Sequence, residues 1–281
     1  MEARKESKKN KQSIIITICS TKGGVGKTTL AANIGGLLAD LNYEVLLIDG
    51  DIQPGLSSYY PIKREASGGS SQLMRNEGNP LDCVSKTIFS NLDIVISNAP
   101  GEELQNWIVS NPAGRISLGE SLKQLRHYYD FVIIDSQGAN TAIQHATVLS
   151  ADILVSPIPP DIVSSQEFQR GTLSMLEQLA PFGSMIGSPL GQLYGLVYKK
   201  DRTKDAQLFS DELTSMTFQK SKSRIRILNT FVPSLVAYKN ASTNHVPVHT
   251  LSERAKENMC QVVSEILPNL ANQCKAYLEV K

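Results

Sequence analysis

The stretch that decides the fold runs from residue 13 to residue 29 and reads SIIITICSTKGGVGKTT. Residues 13–19 form an apolar, β-branched run interrupted only by Thr17, which is typical of a strand buried on both faces of a parallel sheet. A glycine-rich turn follows, and apolar residues then recur at helical spacing over residues 27–41. The sequence therefore predicts a strand, a glycine loop and a helix in direct succession.

The same alternation continues along the chain. Further strands are predicted at residues 45–48, 92–97, 131–134, 153–156, 192–198 and 225–228. Further helices are predicted at residues 118–129, 164–180, 205–218 and 251–267. This pattern predicts an α/β fold with a doubly wound, mostly parallel sheet that is flanked by helices and has right-handed crossovers. The chemistry of such sheets lies beyond the carboxyl ends of the strands.

Composition divides the chain into a short tail and one domain. Residues 1–12 are polar and basic and are predicted to be a disordered tail, whereas residues 13–281 are predicted to be a single domain. Residues 57–80 are rich in serine, glycine and charge and are expected to be loop, but nothing in them divides the domain.

Composition also excludes several classes of protein. With 281 residues, 41% hydrophobic and 20% charged, the chain fits a soluble globular protein with a sizeable core. No apolar run approaches the roughly 20 residues that a membrane-spanning helix needs, and no signal peptide is recognisable. The four cysteines are far apart and match neither a metal-ligand spacing nor a disulfide framework. We therefore expect reduced thiols and a cytoplasmic location.

The glycine-rich turn has the composition of a phosphate-binding loop. Its glycines allow backbone N–H groups to close on a phosphate, and the following helix directs its positive dipole end to the same place. Lys27 can reach the β- and γ-phosphates, and the Thr28 hydroxyl is placed to ligate Mg²⁺. The predicted nucleotide-binding residues are Lys22, Gly23, Gly24, Val25, Gly26, Lys27, Thr28 and Thr29.

Three carboxylates follow predicted strands. Asp49 and Asp51 follow the second strand and, in an extended chain, point to the same side. Asp135 follows a later strand. Carboxylates beside a phosphate loop can hold Mg²⁺ or orient water. The alternative is structural, with turn-forming aspartates before Gly50 and Pro54 and a helix cap or turn residue at Asp135.

The loop departs from the strict pattern G-x-x-x-x-G-K-[ST], because Thr21 stands where the first glycine belongs. In its place the chain has K-G-G-x-G-K-T-T, with a second lysine, Lys22, near the start of the loop. This octapeptide resembles the deviant Walker A motif of the ParA/MinD family of P-loop ATPases. The resemblance implies ATP and Mg²⁺ as cofactors. It also implies a homodimer that sandwiches ATP, in which Lys22 reaches across the interface to the partner's nucleotide.

The resemblance further implies a role for each carboxylate. The run LLIDGDIQPG resembles the family's D-x-D-P-Q-G segment, with Ile52 in place of the usual proline. By this resemblance Asp51 orients the attacking water, Asp49 supports the Mg²⁺ shell, and Asp135 is the Walker B aspartate. Ser-Gln-Gly follows Asp135 where relatives carry Thr-Pro-Pro. The predicted catalytic residues are Lys22, Lys27 and Asp51, and the predicted metal ligands are Thr28, Asp49 and Asp135.

Similarity to this family covers most of the chain, including residues 151–159, 201–203 and 231–248. The run QPGLSSYYP resembles ParA-like proteins of integrative conjugative elements and genomic islands. In relatives, the loops near Tyr198 and Pro233 surround the adenine, and Tyr198 replaces a common asparagine.

The function implied by the resemblance is DNA partition or positioning. Such an ATPase is weak alone, binds nonspecific double-stranded DNA as an ATP dimer, associates with the nucleoid, and is stimulated by a ParB-like centromere-binding protein. The net charge of +1 makes no case for nucleic acid, and a run of charge is usually only a solvated face. We expect any DNA affinity to require ATP and to fall steeply with salt. The candidate DNA-binding residues are Arg202, Lys204, Arg224, Arg226 and Lys239.

The main alternative is a MinD-like ATPase that positions a protein complex on a membrane or another scaffold. Membrane attachment of that kind needs an amphipathic, lysine-rich helix at the carboxyl end. The final run NLANQCKAYLEVK contains only Lys275 and Lys281, so no membrane partner is predicted. A DNA-binding repressor is not expected, because the short segment before the first strand has no room for a helix-turn-helix.

Overall fold

The computed structural model describes residues 12–98, 102–201, 208–209, 213 and 225–279. The predicted tail, apart from Gln12, lies outside these residues. So do most of the helix predicted at 205–218 and the candidate DNA-binding residues Arg202, Lys204 and Arg224.

Strands and helices alternate along the described chain. The strands are β1 (Ile14–Ile18), β2 (Val45–Gly50), β3 (Ile62–Arg64), β4 (Ser85–Thr87), β5 (Leu92–Val95), β6 (Phe131–Ser136), β7 (Ile153–Ile158), β8 (Gln192–Lys200), β9 (Ile225–Ile227) and β10 (Val232–Pro233). The α-helices are α1 (Lys27–Asp40), α2 (Ser70–Arg75), α3 (Glu103–Ser110), α4 (Gly114–Leu125), α5 (Ala142–Leu149), α6 (Ile162–Glu167), α7 (Ser174–Met185), α8 (Val236–Asn244), α9 (Glu253–Ile266) and α10 (Ala271–Glu279). A π-helical turn, Phe168–Leu173, joins α6 to α7. Among the described residues, no helix is long and apolar enough to cross a bilayer.

These strands form one sheet in the order β10–β8–β7–β1–β6–β2–β5–β4–β3, with β9 also paired to β8. The strands from β10 to β5 pair in parallel. Only β4 and β3, at one edge, add in antiparallel fashion. The prediction of a doubly wound, mostly parallel sheet flanked by helices is confirmed.

The central strand β1 is buried on both faces because helices cover both. Ile16 and Ile18 lie in the apolar cluster that includes Leu30 of α1. Ile15 points the opposite way and belongs to a second cluster with Leu118 of α4. Successive side chains of a strand face opposite layers, so a strand between two helix layers needs the unbroken apolar run seen in the sequence.

The helix expected at residues 118–129 lies one turn earlier, at Gly114–Leu125. Its first turn holds glycine and polar residues that an apolar pattern does not mark. At its other end the chain turns after Leu125, and the buried Tyr129 donates its hydroxyl proton to Asp93 (2.8 Å) instead of continuing the helix.

The stretch expected to be loop at residues 57–80 contains two short elements, β3 and α2. Leu73 and Met74 of α2 are buried in the same apolar cluster as Leu118. Two apolar residues in a polar stretch are too short a pattern to predict a helix, although they are enough to anchor one turn of it to the sheet.

The start of α4 packs directly against the backbone of α3. A Cβ added at Gly114 would lie 2.4 Å from the carbonyl oxygen and 2.7 Å from the Cα of Ile108. Gly119, one turn further along the same helix, would meet nothing closer than Ser150 Oγ at 3.7 Å.

We therefore expect Gly114→Ala to lower the free energy of unfolding by about 1–3 kcal/mol, because the clashing atoms are backbone and cannot rotate away. Gly119→Ala is the matched control and is expected to raise it by roughly 0.5–1 kcal/mol through helix propensity. Urea denaturation of both variants measures the difference. Equal shifts in the two variants would contradict the close contact between the helices.

Candidate functional site

The candidate site residues lie together at the carboxyl ends of the central parallel strands. The strands β7, β1, β6 and β2 are neighbours and parallel, so their carboxyl ends open side by side. The loop of residues 19–26 leaves β1, Asp49 and Asp135 end β2 and β6, and Asp161 follows β7. The sheet order thus brings together elements that are far apart in the sequence.

The glycine loop has the backbone shape that its composition predicts. Gly24 and Gly26 adopt positive φ angles of 72° and 102°, which L side chains rarely tolerate. The carbonyl of Gly26 accepts the first helical bond of α1, from Leu30 N (3.0 Å). The Tyr198 ring closes on this glycine, since a Cβ there would lie 2.3 Å from Cε1 of the ring. The loop therefore ends at the amino terminus of a helix, where N–H groups can face an anion.

Lys27 is held inside the loop. Its residue surface is only 6% exposed, and Nζ donates to the carbonyl oxygen of Lys22 (3.3 Å). Burial lowers the pKa of Lys27, while the charges of Asp135 and Asp51 oppose that shift. Gly138 covers this amine closely, because a Cβ there would lie 2.8 Å from Nζ. The Ser-Gln-Gly that replaces Thr-Pro-Pro thus supplies a residue small enough to pack on the loop.

Asp135 is joined to the first turn of α1 by a direct hydrogen bond. The Thr28 hydroxyl donates to Asp135 Oδ2 (2.6 Å). Asp135 is 1% exposed, and burial raises its pKa to about 7, with the nearby charge of Asp49 adding to the rise. Its second oxygen, Oδ1, is buried and has no hydrogen-bond partner among the described residues.

This arrangement fits a hard divalent cation. A buried carboxylate oxygen without a donor is costly unless a cation or water satisfies it. Mg²⁺ prefers oxygen ligands such as a carboxylate and a threonine hydroxyl and keeps several waters of its own. Thr28 and Asp135 together therefore match the donor set that the metal needs.

Asp49 lies opposite Asp135 on the adjacent strand, but its oxygens are already engaged. Oδ2 accepts from the backbone N–H (2.7 Å) and the hydroxyl (2.6 Å) of Ser57, and Oδ1 accepts from Asp51 N (3.3 Å). Burial raises the pKa of Asp49. This geometry suits an indirect role, in which Asp49 holds the following loop beside the metal position.

Asp51 lies past the end of β2 and is half-buried. Its Oδ1 accepts from Gln53 N (3.0 Å), and its carbonyl oxygen accepts from the Ser97 hydroxyl (2.6 Å). Its charge acts on both Lys27 and Asp135. The structure thus brings Asp51 to the same site as the loop.

Lys22 leaves the loop in another direction from Lys27. Its Nζ donates to the Ser164 hydroxyl (2.8 Å) and lies 4.0 Å from Asp161 Oδ1. Asp161 in turn caps α6 by accepting from Ser164 N (2.8 Å). The second lysine of the motif is therefore held by its own chain, on the helix that follows β7.

A cavity of about 330 Å³ adjoins the loop on the side of α8. It is lined by Thr29, Tyr198, Lys199, Val232, Pro233, Ser234, Leu235, Tyr238, Lys239 and Ser242. Two of these, Tyr198 at the end of β8 and Pro233 in β10, are the residues near which the resemblance predicts the adenine loops. The cavity therefore lies between the start of α1, the end of β8 and α8.

The candidate DNA-binding residues are only partly described. Lys239 lies on α8 at this cavity, and Arg226 lies opposite Tyr194 on β8. Tyr198, which lines the same cavity as Lys239, is four residues or about 13 Å further along that strand. Both cations are exposed, but the two do not form one compact cluster.

Comparison with known proteins identifies the family of this chain. A family model described as an AAA domain matches residues 13–179, more than half of the chain. The maintenance of carboxysome distribution protein A of Gloeothece citriformis is 33% identical over 193 residues, covering 66% of this chain and 74% of that protein. A virulence plasmid ParA family protein of Chlamydia psittaci is 28% identical over 184 residues, covering 65% and 68%. The chain belongs to the ParA/MinD family of P-loop ATPases.

A solved member of this family has the same fold. The structure of a McdA variant from Cyanothece in complex with ATP superimposes with a TM-score of 0.80 at 26% identity, covering 92% of this chain and 98% of the other. The family resemblance inferred from the loop is thereby confirmed.

Sequence reasoning missed several residues of this ParA/MinD site. Asp161 and Ser164 hold Lys22, Gly138 packs on Lys27, and Lys199 donates to the Gly24 carbonyl (3.4 Å). An Asp-x-x-Ser cap after the β7 strand was visible in the sequence, but nothing local connects it to a lysine more than a hundred residues earlier.

The metal prediction can be tested through Thr28. We expect Thr28→Val to weaken Mg²⁺-dependent ADP binding by at least about tenfold, because the hydroxyl that links the loop to Asp135 is removed. Titration calorimetry with ADP measures this in Mg²⁺ and in EDTA. Binding in EDTA is the internal control and should stay within about twofold of wild type. An equal loss in both conditions would mean that the hydroxyl shapes the loop and does not serve the metal.

Proposed function

We propose that this protein is an ATP-hydrolysing positioning protein of the ParA type. It forms an ATP-sandwich dimer, binds nonspecific double-stranded DNA in that form, and is stimulated by a ParB-like partner. The observation that carries the proposal is the second loop lysine. Lys22 extends away from Lys27 and is held by Ser164 and Asp161 with 32% of its side chain exposed, so its ammonium can exchange these partners for a phosphate.

The site residues supply the parts of phosphoryl transfer to water. Backbone N–H groups of the glycine loop and the Lys27 ammonium bind the triphosphate, and Thr28 and Asp135 would hold Mg²⁺, which supplies charge neutralisation at the phosphates. Asp51 is half-buried next to this charge cluster, where a carboxylate can orient the attacking water. Little covalent help is needed, because such catalysis depends mainly on positioning and electrostatic stabilisation.

The names of the relatives favour a cargo-positioning role. One relative maintains the distribution of carboxysomes, and another belongs to a virulence plasmid. For this chain we propose DNA cargo, a plasmid or an integrated element, and a nucleoid-associated location in the cytoplasm. The second candidate is positioning of a protein complex on a membrane or another scaffold, which the carboxysome relative favours.

Co-sedimentation with nonspecific duplex DNA, in ATP and in ADP, tests the proposal. We expect binding in ATP but not in ADP, and loss of binding in Lys22→Ala, because the dimer needs this lysine at the partner's nucleotide. Lys123→Ala is the matched control: it removes one exposed cation, paired with Glu120 (2.7 Å), from α4. ATP binding without DNA association would overturn the DNA proposal and favour the second candidate, which vesicle flotation and cargo pull-down then test.

The two described candidate cations should contribute to DNA affinity through phosphate contacts. We expect Lys239→Ala and Arg226→Ala each to reduce the slope of log K against log salt concentration by about 0.9, the value for one lost phosphate contact. Lys63→Ala, an exposed cation at the β3 edge of the sheet, should leave the slope unchanged. If Lys239→Ala and Arg226→Ala gave the same salt-dependence slope as Lys63→Ala, Lys239 and Arg226 would not be part of the DNA-binding surface.

A further inference from the structure

The residue before Lys22 is held by three polar contacts of its own. Thr21 stands where the strict loop motif has its first glycine. Its N–H donates to Thr172 Oγ1 (3.2 Å), and its hydroxyl donates to Glu167 Oε1 (3.0 Å). The two threonine hydroxyl oxygens are 3.3 Å apart. Because the Thr21 proton goes to Glu167, the Thr172 hydroxyl must donate to Thr21 in this pair.

These contacts depend on the π-helical turn between α6 and α7. Glu167 and Thr172 are five residues apart, which in an α-helix would place them about 140° apart around the axis. A π-turn has i→i+5 hydrogen bonds and more residues per turn. It therefore brings residues five apart toward one side, and here both side chains meet Thr21.

The helix also leaves no spare room for Thr21. A Cβ added at Gly171 would lie 2.1 Å from Thr21 Oγ1 and 2.3 Å from Glu167 Oε1. Thr172 is fully buried and Glu167 is half-buried. The threonine that replaces the glycine of the motif thus fits into a recess made by a glycine of the helix.

We propose that Glu167 and Thr172 are positioning residues for Lys22. Through Thr21 they fix the backbone from which Lys22 extends, and so determine whether its ammonium stays on Ser164 or turns to a nucleotide. This inference rests on the proposed function, in which Lys22 acts at the partner's nucleotide. One continuous helix, from α6 through the π-turn to α7, contacts both residues: Glu167 binds Thr21 and Ser164 binds Lys22. A displacement of this helix would therefore change both contacts.

The variant Thr172→Val removes the hydroxyl at nearly constant volume. We expect kcat for ATP hydrolysis to fall about tenfold, with KM for ATP within about twofold of wild type, because a misplaced catalytic group costs rate more than binding. Thr172→Ser keeps the hydroxyl and should restore kcat. Gly171→Ala should behave like Thr172→Val, because the new methyl group displaces Thr21.

Thr147→Val is the matched control. Thr147 is also fully buried in α5, and its hydroxyl donates to the Gln144 carbonyl (2.9 Å). Its methyl group, which valine keeps, lies beside Gly50, and its hydroxyl contacts neither Thr21 nor Lys22. The variant Thr147→Val should lose about as much thermal stability as Thr172→Val, but its kcat should stay at the wild-type value. A kcat loss of the same size in Thr147→Val, or a raised KM with unchanged kcat in Thr172→Val, would overturn the inference.

A second readout does not depend on hydrolysis or dimerisation. In nucleotide-free protein, the rate at which an N-hydroxysuccinimide ester acetylates the Lys22 amine, followed by peptide mass spectrometry, reports how firmly Ser164 holds it. We expect this rate to rise about three- to tenfold in Thr172→Val and Gly171→Ala, as for the loss of one buried hydrogen bond, but not in Thr172→Ser or Thr147→Val.

The two readouts separate the inference from the proposed function. If the wild type neither hydrolyses ATP nor dimerises, the proposed function fails, while the acetylation rates still decide whether Thr172 positions Lys22. Unchanged acetylation in Thr172→Val, with wild-type hydrolysis intact, would overturn the positioning role alone.

Discussion

The hydrogen bond from the Thr28 hydroxyl to Asp135 joins residues 107 positions apart in the sequence, and the site depends on it. It can form only because β6 lies parallel to and directly beside β1, so that the start of α1 meets the end of β6. Three charged residues of the site act on this buried carboxylate: Asp49 on the neighbouring strand, Lys27 and Asp51. The energetic cost of burying Asp135 is what makes the site receptive to a cation.

How much the sequence could predict depended on how local each feature is. The strand, loop and helix of residues 13–41 are consecutive, so their pattern was sufficient to predict the phosphate loop, and the same alternation along the chain predicted the fold class. Asp49 and Asp135 were found because each ends an apolar run. The partners of Lys22 could not be found in this way, because Ser164 meets it only once β7 lies beside β1. Short elements such as α2, with one apolar pair, carry too little pattern to be recognised.

The two lysines of the loop occupy different environments, and this separates their chemistry. Lys27 is buried and its Nζ donates to the Lys22 carbonyl, so the amine is positioned before any ligand arrives. The side chain of Lys22 is 32% exposed and is held by a hydroxyl and a distant carboxylate, which is a weak restraint in a solvated setting. A buried charge suits preorganised binding, whereas a lightly held one can change partners at little energetic cost.

The edge strand β3, at the side of the sheet farthest from α8, affects whether molecules at high local concentration can aggregate. The edge strand β3 is three residues long, and its Lys63 and Arg64 side chains are exposed. Short, charged edge strands resist pairing with the edge of another sheet. Molecules crowded onto a common surface would therefore be protected from pairing of their sheets along this edge.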